Sequence, residues 1–216
     1  DIAMILEEAE LKDLPVVFRI LPKELAAEVF VEMDRDLQQH LIESFSNTEL
    51  KDVIDELFMD DMVDIIDEMP ASVAQRILKQ TDSKTRNMVN KLLAYPESSA
   101  GSVMTTEYLS VKKGMTVDEA FESIRNNAVD TESIYTCYVT DRSRKLLGVI
   151  TIRDLLLADK SAVVYDIMDE NVIFANTLTD REEVVSLFDK YDLYVLPVVD
   201  NENRLVGIIT VDDVID

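Results

Sequence analysis

The chain has 216 residues, 44 of them acidic and 21 basic, for a net charge of −23. That length admits two domains, and an apolar share of 47% is that of a globular chain rather than a disordered one. Spread over both halves, the charge argues against nucleic acid, whose phosphates demand Lys and Arg, and against an anionic membrane surface. It favours solubility and cations, from Mg²⁺ or Ca²⁺ to a basic partner.

No apolar run approaches the roughly 20 residues needed to cross a bilayer, and no signal peptide is present. The chain reads as a soluble piece, which starts without methionine and stops within a helical pattern at Val214-Ile215-Asp216. Cys137, the single cysteine, lies in an apolar strand pattern and suits a reducing compartment. His40, the single histidine, is expected to be exposed and idle beside Gln38 and Gln39, and builds no His-based metal site.

Up to about Tyr95 apolar residues recur at helical spacing in short lengths: Leu37, Leu41 and Phe45; Leu50, Val53, Ile54 and Leu57; Met62, Ile65, Ile66 and Met69. Start signals stand between them at Pro22, Asp34, Ser46, Asp60-Asp61, Pro70 and Thr81-Asp82-Ser83. Helices of two or three turns are marginal alone, so they must stack, and a solenoid-like superhelix is the expected result. The segment Tyr95–Ser102 is broken by Pro96 and Gly101 and reads as a linker.

Beyond it the pattern repeats. A short strand (109–111), a helix capped by Thr116 with Glu119 (116–127), strands 134–140 and 146–152, and a helix from Arg153 form one unit. Residues 172–175, 180–190, 194–199, 205–211 and 212 onward form its twin. Each unit is β-α-β-β-α. Gly148 and Gly207 are read as ending turns before strands, and they form no phosphate loop.

Between Lys51 and Glu68 stand eight carboxylates, Asp52, Asp55, Glu56, Asp60, Asp61, Asp64, Asp67 and Glu68, against the single cation Lys51. Capping accounts for one or two of them, and a divalent cation would relieve the repulsion among the others. Oxygen-only clusters suit hard cations, and Mg²⁺ takes only one or two carboxylates while keeping several waters. No EF-hand loop is present, which disfavours Ca²⁺. A second acidic set is Asp180, Glu182 and Glu183 at a helix start, with Asp189 and Asp192 at its end, where the helix dipole prefers cations. One His and one Cys allow no familiar catalytic triad, and nothing here points to an enzyme.

The phrases V-M-T-T-E-Y-L-S-V, G-V-I-T-I-R-D-L, L-P-V-V-D and G-I-I-T-V-D-D-V resemble a tandem CBS pair from about Gly101 onward. Joined through Y-P-E-S-S-A-G-S-V-M-T to an acidic helical domain with M-D-D-M-V-D-I-I-D, the whole resembles the cytosolic part of the MgtE family of magnesium channels. The resemblance implies an α+β chain of two domains: an all-α superhelix (1–96), then CBS units at 97–161 and 162–216. It implies Mg²⁺ sensing on the cytoplasmic face of the cell membrane, a homodimer through the CBS units, and a connecting helix with a transmembrane pore in the full-length protein. Glu28, Asp60 and Asp64 match acidic positions of the helical domain, and Asp180, Glu182, Asp192 and Asp213 match acidic positions of the second CBS unit that share Mg²⁺ with it.

The alternative is an adenine-nucleotide sensor. In nucleotide-binding CBS pairs, Thr-x-x-Asp meets ribose and phosphate; here that is Thr151 with Asp154 and Thr210 with Asp213, and Arg153 could meet a phosphate. Both motifs also have the form of a helix capping box. Thr136 and Leu193 stand where such relatives often carry an aromatic, which weighs against ATP.

Overall fold

The computed structural model describes residues 2–128 and 131–215, which divide into a helical unit ending at Ala94 and an α/β unit beginning at Tyr95.

Among the described residues the first unit is a run of eight short helices: α1 (Ile2–Glu7), α2 (Leu14–Phe18), α3 (Lys23–Val31), α4 (Arg35–Ser44), α5 (Asn47–Ile54), α6 (Met59–Glu68), α7 (Ala71–Gln80) and α8 (Ser83–Leu92). Their breaks are chemical. Pro22 and Pro70 occupy N-caps, Ser46 forms a capping box with Glu49, and the Asp82 carboxylate accepts the amides of Lys84 and Thr85. Helix α6 starts earlier than expected, with Phe58 as N-cap, so Asp60 and Asp61 sit inside its first turn, where the dipole favours carboxylates. Alternate helices stack, α1 on α3, α3 on α5 and α5 on α7, with α2 on α4 and α6 on α8, as a superhelix requires. Leu41, Ile42, Leu50 and Ile77 are buried along its axis.

Side chains from neighbouring helices satisfy the free carbonyls at helix ends. Buried Gln38 donates to the Phe30 and Val31 carbonyls at 2.8 and 3.2 Å. Arg76 donates to the Ile42 and Phe45 carbonyls, and Arg86 to those of Leu78 and Thr81. His40 is not idle: it is half-buried, and its Nε2 lies 2.9 Å from the Leu11 carbonyl oxygen.

Among the described residues the second unit holds two three-stranded sheets. In the first, β1 (Tyr108–Lys112) runs parallel to β2 (Ser133–Thr140), which pairs antiparallel with β3 (Leu146–Thr151); α9 (Val117–Asn127), α10 (Ile152–Leu157) and α11 (Val164–Ile167) accompany them. The second repeats the order with β4 (Ala175–Asn176), α12 (Arg181–Tyr191), β5 (Val195–Val199), β6 (Leu205–Thr210) and α13 (Asp212–Ile215). Strand β4 is shorter and later than the expected 172–175. Parallel β1 and β4 need a crossover, which α9 and α12 supply.

The sheets meet at Tyr138, Leu205 and Ile208. The chain leading into each unit crosses to the other. Thr105 bridges Ile208 on β6, and Asp169 bridges Val149 on β3. This crossing explains two glycines placed wrongly by the turn reading: Gly148 and Gly207 lie inside β3 and β6. A Cβ on them would stand 2.8 Å from the Asp169 carbonyl oxygen and 2.7 Å from that of Thr105.

The expected linker is also corrected in part. Residues 98–101 pair with the connection from β4 to α12: Ala100 and Gly101 amides donate to Thr179 and Thr177 carbonyls, and the Arg181 amide to the Ser98 carbonyl. Ala100 is fully buried, so this segment belongs to the CBS pair.

Candidate functional site

The acidic stretch on α5 and α6 is less bare than its sequence implies. Lys23 on α3 reaches Asp52 at 2.6 Å, Arg35 on α4 reaches Glu68, and Lys51 pairs with Asp55 within α5. Only the last partner could be seen by counting along the segment; the other two cations arrive from stacked helices. Asp60 is buried at 8% exposure, whereas Asp64, one turn later on α6, is exposed, as is Glu28 on α3.

In the second CBS unit the acidic positions fall at opposite ends of α12. Asp180 is its N-cap, and the carboxylate accepts the Glu182 amide at 2.9 Å. Asp192 is its C-cap, in left-handed conformation with φ 50°, a geometry that Asp tolerates better than most residues. Backbone shape therefore explains an acid at that helix end, where the dipole argument found no local reason. An 11-residue helix separates the two ends by ~16 Å. Asp213 joins the start of α12, since the Arg181 guanidinium donates to the Asp213 carbonyl at 3.0 Å. Burial raises the Asp213 carboxyl above the usual range, while hydrogen bonds from Thr210 act the other way. Among the described residues no three His, Cys, Asp or Glu side chains gather as a metal cage. Sparse carboxylates suit Mg²⁺ held through its waters better than a dehydrated ion.

Both Thr-x-x-Asp motifs close as helix starts. The Thr151 hydroxyl donates to Asp154 and accepts the Asp154 amide, a complete capping box. The Thr210 hydroxyl and amide likewise donate to Asp213 Oδ2. The two differ in access: Thr151, Arg153 and Asp154 are exposed, Thr210 is buried at 7%, and Asp213 is half-buried.

Thr136 and Leu193 are not equivalent positions in strand register. Thr136 pairs with Thr151, and its counterpart opposite Thr210 is Val195, not Leu193. One residue before each stand Tyr135 and Tyr194, each 79% exposed. Each unit thus carries an exposed aromatic next in sequence to the residue that pairs with its motif threonine, a feature hidden until the pairing of β2 with β3 and β5 with β6 is known. Cys137, next in β2, is buried, and burial pushes its thiol up to about 12, so it stays protonated and unreactive.

A stacked helical unit followed by two crossed β-α-β-β-α units defines a protein with an acidic helical domain and a CBS pair. The model of the MgtE intracellular N domain matches residues 1–98, and that of the CBS domain matches 100–161 and 164–216. The chain is 42% identical over 205 residues to the magnesium transporter MgtE of Thermus thermophilus, covering 93% of this chain and 45% of that protein. With MgtE of Bacillus subtilis it shares 31% over 228 positions, covering 100% of this chain and 51% of that protein. The chain thus spans about half the length of these curated relatives.

Two solved structures match it almost throughout. The cytosolic domain of the Mg²⁺ channel MgtE in complex with ATP is 38% identical with a TM-score of 0.74, over 99% of this chain and 92% of that one. The soluble part of a magnesium transporter is 30% identical with a TM-score of 0.76, over 98% and 93%. The chain belongs to the MgtE family, and what it matches there is the cytosolic domain. Its likeness to enzymes is partial and confined to the CBS pair: inosine-5'-monophosphate dehydrogenase of Methanocaldococcus jannaschii is 37% identical over 117 residues, 23% of that protein.

Proposed function

We propose that this chain is the Mg²⁺-sensing region of an MgtE-type magnesium transporter, on the cytoplasmic face of the membrane. It works as a homodimer through its CBS units, joined in the full-length protein to a connecting helix and a pore. The working division is a helical domain at 1–96 and CBS units at 97–161 and 162–216. Mg²⁺ bridges acidic surfaces carrying Glu28, Asp60 and Asp64 on the helical domain and Asp180, Glu182, Asp192 and Asp213 on the second CBS unit. Bridging favours a closed state in which the pore is held shut. Ions shift that balance only as far as they bind the closed form more tightly. Reversing a 1:99 population takes about 5.5 kcal/mol, a sum that several weak sites reach together.

The observation that carries this reading is the match to the cytosolic domain of the Mg²⁺ channel MgtE along 99% of the chain. A chain rich in carboxylates, 44 against 21 basic residues, supports it, because oxygen ligands suit a hard cation such as Mg²⁺. Small-angle scattering through a Mg²⁺ titration, with NaCl matched for ionic strength, tests it. Compaction by Mg²⁺ alone is expected, and a constant radius of gyration rejects the reading.

A second ligand, ATP, is favoured by the ATP-bound relative and by the exposed rings of Tyr135 and Tyr194. Arg153 would meet a phosphate, and Thr151 with Asp154, or Thr210 with Asp213, the ribose. Calorimetry in EDTA tests this apart from Mg²⁺. Heat on adding ATP, lost in Asp154→Ala or Asp213→Ala, supports it; no heat removes it.

A further inference from the structure

The two CBS units carry the same turn with different chemistry. Between β2 and β3 it reads Asp141-Arg142-Ser143-Arg144-Lys145, and between β5 and β6 Asp200-Asn201-Glu202-Asn203-Arg204. The backbone is shared. In each, Oδ1 of the leading Asp accepts the amides two and four residues on, those of Ser143 and Lys145 in one and of Glu202 and Arg204 in the other. In each, the fourth residue is left-handed, Arg144 at φ 66° and Asn203 at φ 60°. Asn adopts that conformation readily, whereas Arg is strained in it. The second turn shows that this backbone needs no cation at positions 142 and 144. The reason for Arg142 and Arg144 therefore lies outside the turn.

Two more cations stand beside them. Lys112 ends β1 opposite Thr140, and its Nζ donates to Thr140 Oγ1 at 2.9 Å and to the Asp141 carbonyl at 3.3 Å. Lys113 follows, its amide donating to the Thr140 carbonyl. The Arg144 guanidinium is held by the Leu205 carbonyl at 3.0 Å and the Tyr108 hydroxyl at 3.2 Å. Lys112, Lys113, Arg142, Arg144 and Lys145 are all exposed, and none makes an ion pair among the described residues. The one acid in these two segments, Asp141, is occupied by the turn amides. In a chain with 44 acidic residues that is unexpected, and elsewhere Lys23, Arg35 and Arg204 each hold a carboxylate. Five like charges gathered without a counter-charge repel one another, and a bound anion relieves that repulsion.

We propose that this cluster is a docking site for an acidic peptide segment of a partner protein. The cations stand on a hairpin turn and a strand end, which project, whereas a single phosphate is held in a concavity of converging donors. Nucleic acid and anionic bilayers extend well beyond five side chains. They would bring further phosphates within a Debye length, about 8 Å at physiological salt, of a chain whose net charge is −23. A segment of a few Asp and Glu covers the cluster and no more. Tyr165 is 49% exposed, with Lys113 Nζ 6.0 Å from its ring centre, and offers an apolar residue of that segment a surface to pack on.

The probe is a fluorescein-labelled peptide of Asp and Glu around a central Leu, titrated with the 216-residue chain and read by anisotropy. EDTA is present throughout, so that no divalent ion bridges two acidic partners. Binding is expected, falling roughly ten-fold as salt rises from low to physiological levels, with none for the Asn and Gln counterpart of the peptide. A graft of the second unit's turn, Arg142→Asn with Ser143→Glu and Arg144→Asn, keeps a backbone the molecule already uses. It is expected to retain the melting temperature and to weaken binding by ~10-fold or more. The same charge change on α8, Lys84→Asn with Asn87→Glu and Lys91→Asn, is expected to leave binding within ~2-fold. No binding by the unaltered chain, a graft that keeps full affinity, or an α8 variant that loses as much overturns the proposal. Tighter binding of phosphatidylglycerol vesicles, duplex DNA or tripolyphosphate than of the peptide also overturns it. So does a dimer of the free chain that the graft splits, since a second copy would then be the partner. None of these readouts involves Mg²⁺, so the proposal fails or stands apart from the sensing function.

Discussion

Lys23 on α3 and Asp52 on α5 lie 2.6 Å apart although 29 positions separate them. With Lys51–Asp55 and Arg35–Glu68, that contact brings cations to Asp52, Asp55 and Glu68 in the acidic stretch between Lys51 and Glu68. These are surface pairs and stabilise little, so the proposed bridging is tested by comparing an acid it names with acids it does not. Charge removal at Asp64 is expected to shift the midpoint of Mg²⁺-driven compaction upward by ~5-fold. Asp52→Asn and Asp55→Asn, which remove acids outside the proposed bridging set, are expected to leave the midpoint within ~2-fold. Equal effects at all three positions would mean that total charge alone sets the response.

Glu49 supplies a pH test. The Arg19 guanidinium beside it, with the Ser46 amide and hydroxyl, holds its carboxyl down to about 2 from an ordinary 4.5. A carboxyl lowered in the folded state contributes stability that is complete above the unfolded value and is lost as pH falls through the folded one. The loss attributable to Glu49 therefore falls between about pH 4.5 and about pH 2. The group is near the surface, so solvent screening leaves it well under what the shift alone implies. Glu49→Gln is expected to lower neutral-pH stability and flatten this part of the acid limb in urea unfolding. Parallel curves for the two proteins would remove Glu49 from the acid transition.

Tyr138 is 2% exposed at the junction of the two sheets, and its hydroxyl has no hydrogen-bond partner among the described residues. Burial pushes its pKa far above the ordinary phenol value, so the ring stays neutral. Tyr108 packs edge-on against it at 6.4 Å and would pack equally well against a phenyl ring. An unmet buried hydroxyl costs about 1–3 kcal/mol. Tyr138→Phe is expected to raise unfolding free energy by about 1 kcal/mol in denaturant titration. A loss of stability would show that the hydroxyl is satisfied in solution.

The sequence disclosed those parts of the molecule that rest on local chemistry. The Ser46 and Thr116 capping boxes, the Pro22 and Pro70 helix starts and the duplicated β-α-β-β-α order are written in neighbouring residues, and the structure has them. What was hidden depends on partners distant in the chain. Gly148 and Gly207 read as turn residues because their real constraint is a carbonyl from the lead-in of the other CBS unit. The docking of Ser98–Gly101 on Thr177–Arg181, and the ion pairs of Lys23 and Arg35, are likewise long-range. Asp192 looked anomalous only because helix dipoles can be argued from sequence whereas a left-handed C-cap cannot.

The crossing of the lead-in segments makes a prediction at those glycines. A methyl group at Gly207 would meet the Thr105 carbonyl at 2.7 Å, and backbone cannot swing aside as a side chain can. Overpacking of this kind costs roughly 1–3 kcal/mol. Gly207→Ala and Gly148→Ala are each expected to lower stability by that amount, whereas Gly114→Ala, with open space around it, is expected to be nearly neutral. Equal melting temperatures for the three variants would show that the lead-ins do not seat against β3 and β6.

Tyr135 and Tyr194 provide the sharpest test of nucleotide binding. Each stands one residue before the strand position that pairs with a motif threonine, Thr136 with Thr151 and Val195 with Thr210. At 79% exposure neither ring contributes to a core, so local stability does not explain two large aromatics at equivalent places. A base stacked on an aromatic ring gains ~1–3 kcal/mol. If ATP uses these rings, Tyr135→Ala or Tyr194→Ala weakens it by roughly 5- to 150-fold, while the Phe variants, which keep the stacking face, bind nearly as before. The open Thr151–Arg153–Asp154 side makes Tyr135 the stronger expectation, because Thr210 is buried and Asp213 half-buried. Calorimetry in EDTA reads the affinity without interference from divalent ions. An affinity that survives both alanines would place the adenine away from these strands, and with it the case for either Thr-x-x-Asp motif as more than a helix cap.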